Sequence, residues 1–181
     1  MKKLRVINLF GGPGSGKSTL AAALFADLKM KGVNAELVTE FAKDLVWTER
    51  TKELKDQVYI FGKMYHKLWR LQDKVEVVIC DSPLPLCIYY SNEDTPKRFG
   101  SLVMEAFDQF QNTNVVCERT FAYQQAGRYQ DEEEANKVHA DIVELINREC
   151  IYAHYLQAGT MQQRIDWINL WYKLDEKDEN R

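Results

Sequence analysis

The sequence predicts a single α/β domain with a parallel sheet covered on both faces, and three observations predict it. Short apolar runs alternate along the chain with longer segments of helical period. The runs are apolar throughout, the pattern of strands buried on both faces, rather than alternating apolar and polar residues. No internal repeat, low-complexity tract or linker interrupts the series, and 181 residues suit one domain.

The elements follow in order. Leu4–Phe10 is a β-rich run that leads into the glycine loop Gly11–Gly16. Its apolar stretch is broken by Arg5 and Asn8 and has no small-residue cleavage site, so it reads as a strand and not as a signal peptide. A helix fits Lys17–Lys31, with Leu20, Leu24, Phe25 and Leu28 on one face and Gly32 as its stop. Ala35–Thr39 is a second strand. Thr51–Lys74 reads as one long helix, because Leu54, Val58, Phe61, Tyr65, Leu68 and Leu71 recur at steps of three and four. Val75–Cys80 is a third strand ending on Asp81, and Pro83 and Pro85 block its continuation.

Much of Lys97–Gln111 fits a helix and Thr113–Cys117 a fourth strand. Asp131–Glu149 is a helix with an acidic start, its charge order matching the helix dipole, with Ala135, Val138, Ile142 and Leu145 inward. Ile151–Leu156 is a fifth strand or a continuation of that helix, and its β-branched and aromatic residues favour the strand. The last helix spans Thr160–Leu174, with Met161, Ile165, Ile168 and Trp171 on one side, and the charged stretch Asp175–Arg181 is expected to fray.

Apolar residues make up 45% of the chain and charged residues 28%, the balance of a soluble globular protein. With 24 Lys and Arg against 27 Asp and Glu, bulk charge does not hold this protein on nucleic acid. No run approaches the ~20 apolar residues that span a bilayer. The cysteines Cys80, Cys87, Cys117 and Cys150 form no CxxC pair, and Cys80, Cys117 and Cys150 lie in or beside apolar runs. They read as reduced core thiols of a cytoplasmic protein. The scattered His66, His139 and His154 offer no zinc site.

The chemistry concentrates in Gly11-Gly12-Pro13-Gly14-Ser15-Gly16-Lys17-Ser18, which satisfies GxxxxGK[ST] and is followed by Thr19. Glycines let consecutive backbone N–H groups turn inward around an anion, and the following helix points its positive end at the phosphates. Lys17 is expected on the β- and γ-phosphates, and the Ser18 hydroxyl on Mg²⁺. Asp81, at the end of an apolar strand, is the candidate acid for the metal's water shell, unless it merely caps a turn.

Gly11–Thr19, the strand ending in Asp81-Ser82, and a late strand followed by Arg119 and Gly127-Arg128 resemble the P-loop kinases of nucleosides and nucleotides. Within these, the chain looks most like thymidylate-kinase-like and ribosylnicotinamide-kinase-like proteins, including small phage-encoded P-loop ATPases. The resemblance implies a three-layer P-loop NTPase domain, a five-stranded parallel sheet with the P-loop strand central, ATP, Mg²⁺, and a short arginine-bearing lid at about 119–131.

In such kinases an acid after the second strand contacts the acceptor hydroxyl, a position held here by Glu40. A carboxylate there faces the crevice at the carboxyl ends of the strands and can orient or deprotonate the acceptor. A helix-capping role is the alternative, with Asp44 as substitute. In the lid, Arg128 is the candidate to spread charge on the transferring phosphoryl, while Arg119 is expected near the sheet edge. The few arginines there argue against a monophosphate acceptor. Gly159, in Ala158-Gly159-Thr160, matches where related kinases close on adenine, or is a plain turn. Phe41, Trp47, Tyr59, Tyr89, Tyr90 and Phe99 include candidate stacking partners or are packing residues.

The leading expectation is transfer of the ATP γ-phosphoryl to a nucleoside-, nucleotide- or nicotinamide-riboside-like small molecule. One alternative is a DNA-directed kinase acting on a hydroxymethylated base such as 5-hydroxymethyluracil, for which Lys63, Lys67, Arg70 and Lys74 supply one basic helix face or merely a solvated one. The other is an ATPase without an acceptor. A GTPase fits poorly, because Asn136-Lys137-Val138 ends in His139 and Asp81 is followed by Ser-Pro-Leu. Trp167, Trp171 and Tyr172 cover the domain or a partner equally well.

Overall fold

The computed structural model describes residues 3–119 and 131–178. Five strands, β1 (Arg5–Phe10), β2 (Ala35–Val38), β3 (Val77–Cys80), β4 (Gln111–Cys117) and β5 (His154–Leu156), form one all-parallel sheet in the order β2-β3-β1-β4-β5. The strand that feeds the glycine loop is therefore central, as the resemblance implied. Every residue of β1 is buried, which is why it reads as one apolar run.

Two helical layers cover the sheet. One face of β1 presents Ile7 and Leu9 to α1 (Lys17–Met30) and α8 (Met161–Asp178) through Leu20, Leu24, Ile165 and Ile168. The other presents Val6 and Phe10 to α4 (Gln57–Trp69), α6 (Phe99–Phe107) and α7 (Glu132–Arg148) through Met64, Leu68, Val103 and Ile142. Three short helices, α2 (Phe41–Trp47), α3 (Thr51–Leu54) and α5 (Leu86–Tyr89), complete the chain.

Asn8 is buried because it is hydrogen-bonded. Its Nδ2 donates to Asn112 Oδ1 at 2.9 Å and to Asn114 Oδ1 at 3.0 Å on the neighbouring strand. The two β4 asparagines in turn donate to the carbonyls of Phe107 and Tyr152, so this polar layer is internally satisfied.

Several expectations need correction. The single helix over Thr51–Lys74 is two helices and a turn: Asp56 caps α4 by accepting from the Tyr59 N–H at 3.0 Å, and the chain turns again after Trp69. The period survives because Leu54 and Leu71 still pack on the same core, but the inward stripe is Ile60, Phe61, Met64 and Leu68, and Val58 is exposed. In the last helix Met161 is exposed, and the buried positions are Arg164, Ile165, Ile168 and Tyr172. That helix continues to Asp178 where fraying was expected from Asp175.

The fifth run is a strand, but only over His154–Leu156. Cys150 is exposed at a left-handed turn, whereas Cys80, Cys87 and Cys117 are buried, so Cys87 replaces Cys150 in the core set. Burial pushes the Cys80 and Cys87 thiols up to about 12 and Cys117 up to about 11, which leaves them protonated and inert.

Candidate functional site

The loop from Gly11 to Gly16 leaves the carboxyl end of the central strand and enters α1 through Gly16, whose φ of 81° lies in the left-handed region that a side chain disfavours. Ser18 and Thr19 stand exposed in the first turn of α1, and Lys17 Nζ donates back to the Gly11 carbonyl at 2.6 Å and the Gly12 carbonyl at 3.0 Å. The Lys17 ammonium is thus held across the loop that the motif predicts will cradle phosphates.

Asp81 follows β3 immediately. Its backbone N–H donates to the Val38 carbonyl at 3.3 Å, tying the ends of β2 and β3 together. The side chain is 5% exposed and no described group pairs with its Oδ1. A buried carboxylate oxygen without a donor is costly unless a cation or water shell meets it. The residues present therefore fit a Mg²⁺ ion held by one carboxylate, one hydroxyl and phosphate oxygens, a donor set that needs no all-protein cage.

Glu40 sits at the N-cap position of α2, yet its side chain makes no cap hydrogen bond. The helix-capping alternative thus finds no support. Burial raises the Glu40 carboxyl above the usual carboxylate range. Lys17 opposes the shift, Asp81 adds to it and Lys43 opposes it, so the acid, the loop lysine and the strand-end aspartate share one electrostatic neighbourhood. Burial and then the Glu40 charge push the Tyr90 hydroxyl up, which places Tyr90 on the same wall. Asp44, the substitute, is exposed on α2.

The six aromatic candidates separate clearly. Phe99 is core, packed edge-on against Phe61, and Trp47 is exposed. Tyr89 donates to Asp141 Oδ2 at 3.1 Å and meets Tyr90 edge-on at 4.7 Å. Phe41 and Tyr59 form an edge-on pair at 5.5 Å beside Glu40, with Lys63 Nζ 5.4 Å from the Tyr59 ring and Lys67 Nζ 5.8 Å from Phe41. Lys67 also donates to the Thr39 carbonyl at 2.9 Å. Half of the basic face on α4 is therefore engaged at the end of β2, while Arg70 and Lys74 are exposed beyond it.

The opposite flank of the loop is built by α7. A cleft of about 280 Å³ opens between Gly12, Pro13 and Ser15 on one side and Arg119, Asn136 and His139 on the other. A Cβ on Gly12 would stand 2.7 Å from the Ala135 carbonyl and 2.9 Å from His139 Cβ, so only glycine lets the helix approach this closely. The Gly12 N–H donates to His139 Nδ1 at 3.3 Å. Burial lowers the His139 imidazole below its usual range; Glu118 opposes that shift, and Lys17 and Arg119 reinforce it.

Arg119 was expected near the sheet edge; it follows β4, an interior strand, and turns to α7, donating to Asn136 Oδ1 and standing 3.7 Å from Glu132 Oε1. Arg128, with Gly127 and the rest of 120–130, lies outside the described residues. Gly159 packs under Trp167, where a Cβ would meet the ring at 3.2 Å, and the adjacent Thr160 and Gln163 cap α8 reciprocally.

Sequence reasoning missed His139, which lines the cleft beside the loop and carried no signal beyond a lone histidine.

A family model described as an AAA domain matches residues 6–164. Among solved structures, the NadR protein in complex with NR is similar at 16% identity and TM-score 0.67, covering 94% of this chain and 52% of that one. This chain thus spans about half the length of the NadR chain. Thymidylate kinase from Candida albicans matches at 15% identity and TM-score 0.55, covering 98% of this chain and 93% of that one. The Mycobacterium tuberculosis APS kinase CysC in complex with AMPPNP and APS matches at 13% and TM-score 0.52, covering 94% of this chain and 98% of that one. At these identities the likeness is one of fold, and it is the P-loop NTPase fold that the motifs imply. No curated protein sequence matches the chain.

Proposed function

We propose, from the premise that this chain belongs to the AAA domain family, that it transfers the γ-phosphoryl of ATP to a small hydroxyl- or phosphate-bearing acceptor of nucleoside, nucleotide or nicotinamide-riboside type. The observation that carries this reading is the shared neighbourhood of Lys17, Asp81 and Glu40 at the carboxyl ends of β1, β3 and β2. Glu40, two strands from the phosphate-loop strand and unused as a helix cap, is the acid proposed to meet the acceptor hydroxyl in the crevice at the carboxyl ends of the strands.

In this reading the loop amides and Lys17 bind and orient the polyphosphate. Asp81 and Ser18 would hold Mg²⁺, which neutralises charge on the β- and γ-phosphates when bound. Glu40, with a raised proton affinity, takes or orients the acceptor's proton. Phe41 and Tyr59 offer an aromatic wall to a base or pyridine ring. Arg128 is the lid cation proposed to meet the transferring phosphoryl, and Gly159 lies in the loop proposed to close on the adenine.

The test is incubation with γ-labelled ATP, Mg²⁺ and separate pools of nucleosides, nucleotides, nicotinamide riboside and DNA containing 5-hydroxymethyluracil. Label in a small molecule is the expected result. Label in DNA overturns the acceptor class, and steady phosphate release indifferent to every pool overturns the kinase reading.

A further inference from the structure

The buried face of α8 contains a guanidinium two of whose nitrogens find no acceptor among the described residues. Arg164 is 3% exposed, and no described group accepts from its Nε or Nη2. It lies in the first turn of the helix, where its own N–H donates to the Thr160 carbonyl, and that turn contains no acidic residue. A positive helix end and an unpaired guanidinium therefore coincide. Arg5, the other buried arginine, differs: it donates to the Tyr172 carbonyl at 2.8 Å and lies 3.4 Å over the Tyr172 ring.

Arg164 lies in the first turn of α8, which starts just after β5 at the carboxyl edge of the sheet, the edge from which the phosphate loop leaves β1, and α8 packs against both β4 and α1. The charges of Lys17 and Arg164 both act on the Cys117 thiol. The Cys117 carbonyl in turn lies against the start of the phosphate loop, 2.6 Å from where a Gly11 Cβ would be. The loop lysine and the helix arginine thus both lie within electrostatic reach of the same strand end. Ser15 Oγ, buried beside that carbonyl, likewise has no described partner.

We propose that Arg164 is a second cationic anchor for the donor nucleotide, with its guanidinium meeting a phosphate oxygen on the side of the loop away from Glu40. This rests on the nucleotide-binding part of the proposed function and not on phosphoryl transfer. A neutral base edge is the weaker candidate ligand, because it accepts hydrogen bonds but leaves the buried charge unbalanced. A phosphate oxygen does both, in the planar geometry that guanidinium favours. Because its position opposes Glu40, Arg164 acts on donor binding and not on the acceptor's proton.

The idea has a thermodynamic signature that a structural arginine lacks. Removing a buried, unpaired charge relieves the ligand-free protein while weakening its hold on the ligand. Binding of ATP, ADP and adenosine is measured by calorimetry for the full chain and for Arg164→Met and Arg164→Lys, alongside thermal melting without ligand. For Arg164→Met we expect an unchanged or raised melting temperature and ATP and ADP affinities weaker by roughly ten- to a hundredfold. Adenosine binding stays within about twofold, and Arg164→Lys recovers part of the loss.

A lower melting temperature with intact ATP affinity assigns Arg164 to the core and overturns the proposal. Equal losses for adenosine and ATP overturn the phosphate assignment. If Arg164→Met fails to fold, Arg164→Lys decides: full ATP and ADP affinity with a shortened, differently shaped cation overturns the anchor, and a partial loss confined to phosphorylated ligands upholds it. Tight ATP binding by the wild type with no transfer to any acceptor sinks the kinase reading and leaves the Arg164 assignment standing.

Discussion

The two flanks of the phosphate loop differ in how their polar groups are delivered. On the β2–β3 side stand carboxylates, Glu40 and Asp81, with a phenol and an aromatic pair beside them. On the β4–α7–α8 side stand the nitrogen groups of Arg119, His139 and Arg164, with the carboxylate of Glu118 among them. The acids issue directly from strand ends, so their placement follows from two or three consecutive residues. The nitrogen groups are mostly delivered by helices far along the chain, and their placement depends on how α7 and α8 pack. In the proposed function this difference gives the site a direction, with phosphates met on the side of the nitrogen groups and the acceptor's proton and the metal on the side of Glu40 and Asp81.

The largest expected effect strikes the element both flanks share. Lys17→Ala should reduce nucleotide turnover to near background while leaving the melting temperature within a few degrees, because Lys17 Nζ donates to the loop carbonyls of Gly11 and Gly12 at the sheet's rim. Wild-type turnover by the folded variant would remove the premise that the loop is the site.

Next in size is the acidic flank. Glu40→Gln should lower transfer by roughly 10²–10⁴-fold while ATP affinity changes little, because the side chain lies across from the phosphate loop. Asp81→Asn should instead weaken the response to Mg²⁺, since it removes charge from the proposed metal shell. The raised proton affinity of Glu40 adds a pH signature: transfer should decline on acidification at a higher pH than an ordinary carboxylate gives, and the decline should vanish in Glu40→Gln. Normal transfer by Glu40→Gln with loss in Asp44→Gln would move the base one helical turn on.

The cationic flank is first tested through packing. Gly12→Ala forces a Cβ to 2.7 Å from the Ala135 carbonyl, a backbone atom that no rotamer change can move. Overpacking of this kind costs about 1–3 kcal/mol, so the melting temperature should fall by several degrees. Truncating His139 as well should not restore it, because the backbone clash remains. An unchanged melting temperature would mean that α7 does not press on the loop.

These contrasts show what the sequence made legible. The sheet, its parallel order and the loop were readable because burial on both faces leaves continuous apolar runs and GxxxxGK[ST] is a local pattern. Glu40 and Asp81 were readable for the same reason, each being the residue where an apolar run stops. The break at Asp56 was hidden because helical period continued across it. Cys150 looked internal from its neighbours, yet the left-handed turn at that residue leaves it exposed. His139 gained meaning only when α7 brought it to Gly12, and Arg164 only when α8 buried it without an acid.

The smallest expected effect separates the flanks by pH. The His139 imidazole accepts the Gly12 N–H, which a protonated ring cannot do, and burial holds its proton affinity below the unfolded value. The unfolded chain therefore takes up the proton first as pH falls. The stability tied to the neutral ring is complete above the unfolded value of about 6.5 and is lost as pH drops through the lower folded value. The loss should amount to about 1 kcal/mol or less, the worth of one ordinary hydrogen bond. Glu40 acts in the opposite sense, because protonating a buried carboxylate relieves the folded state. Melting should therefore be followed from about pH 7.5 to about 5.5 in a Glu40→Gln background, with and without His139→Gln. A decline in the first that flattens in the second locates the proton at the α7 clasp, and parallel profiles would show that the Gly12 contact carries no stability of its own.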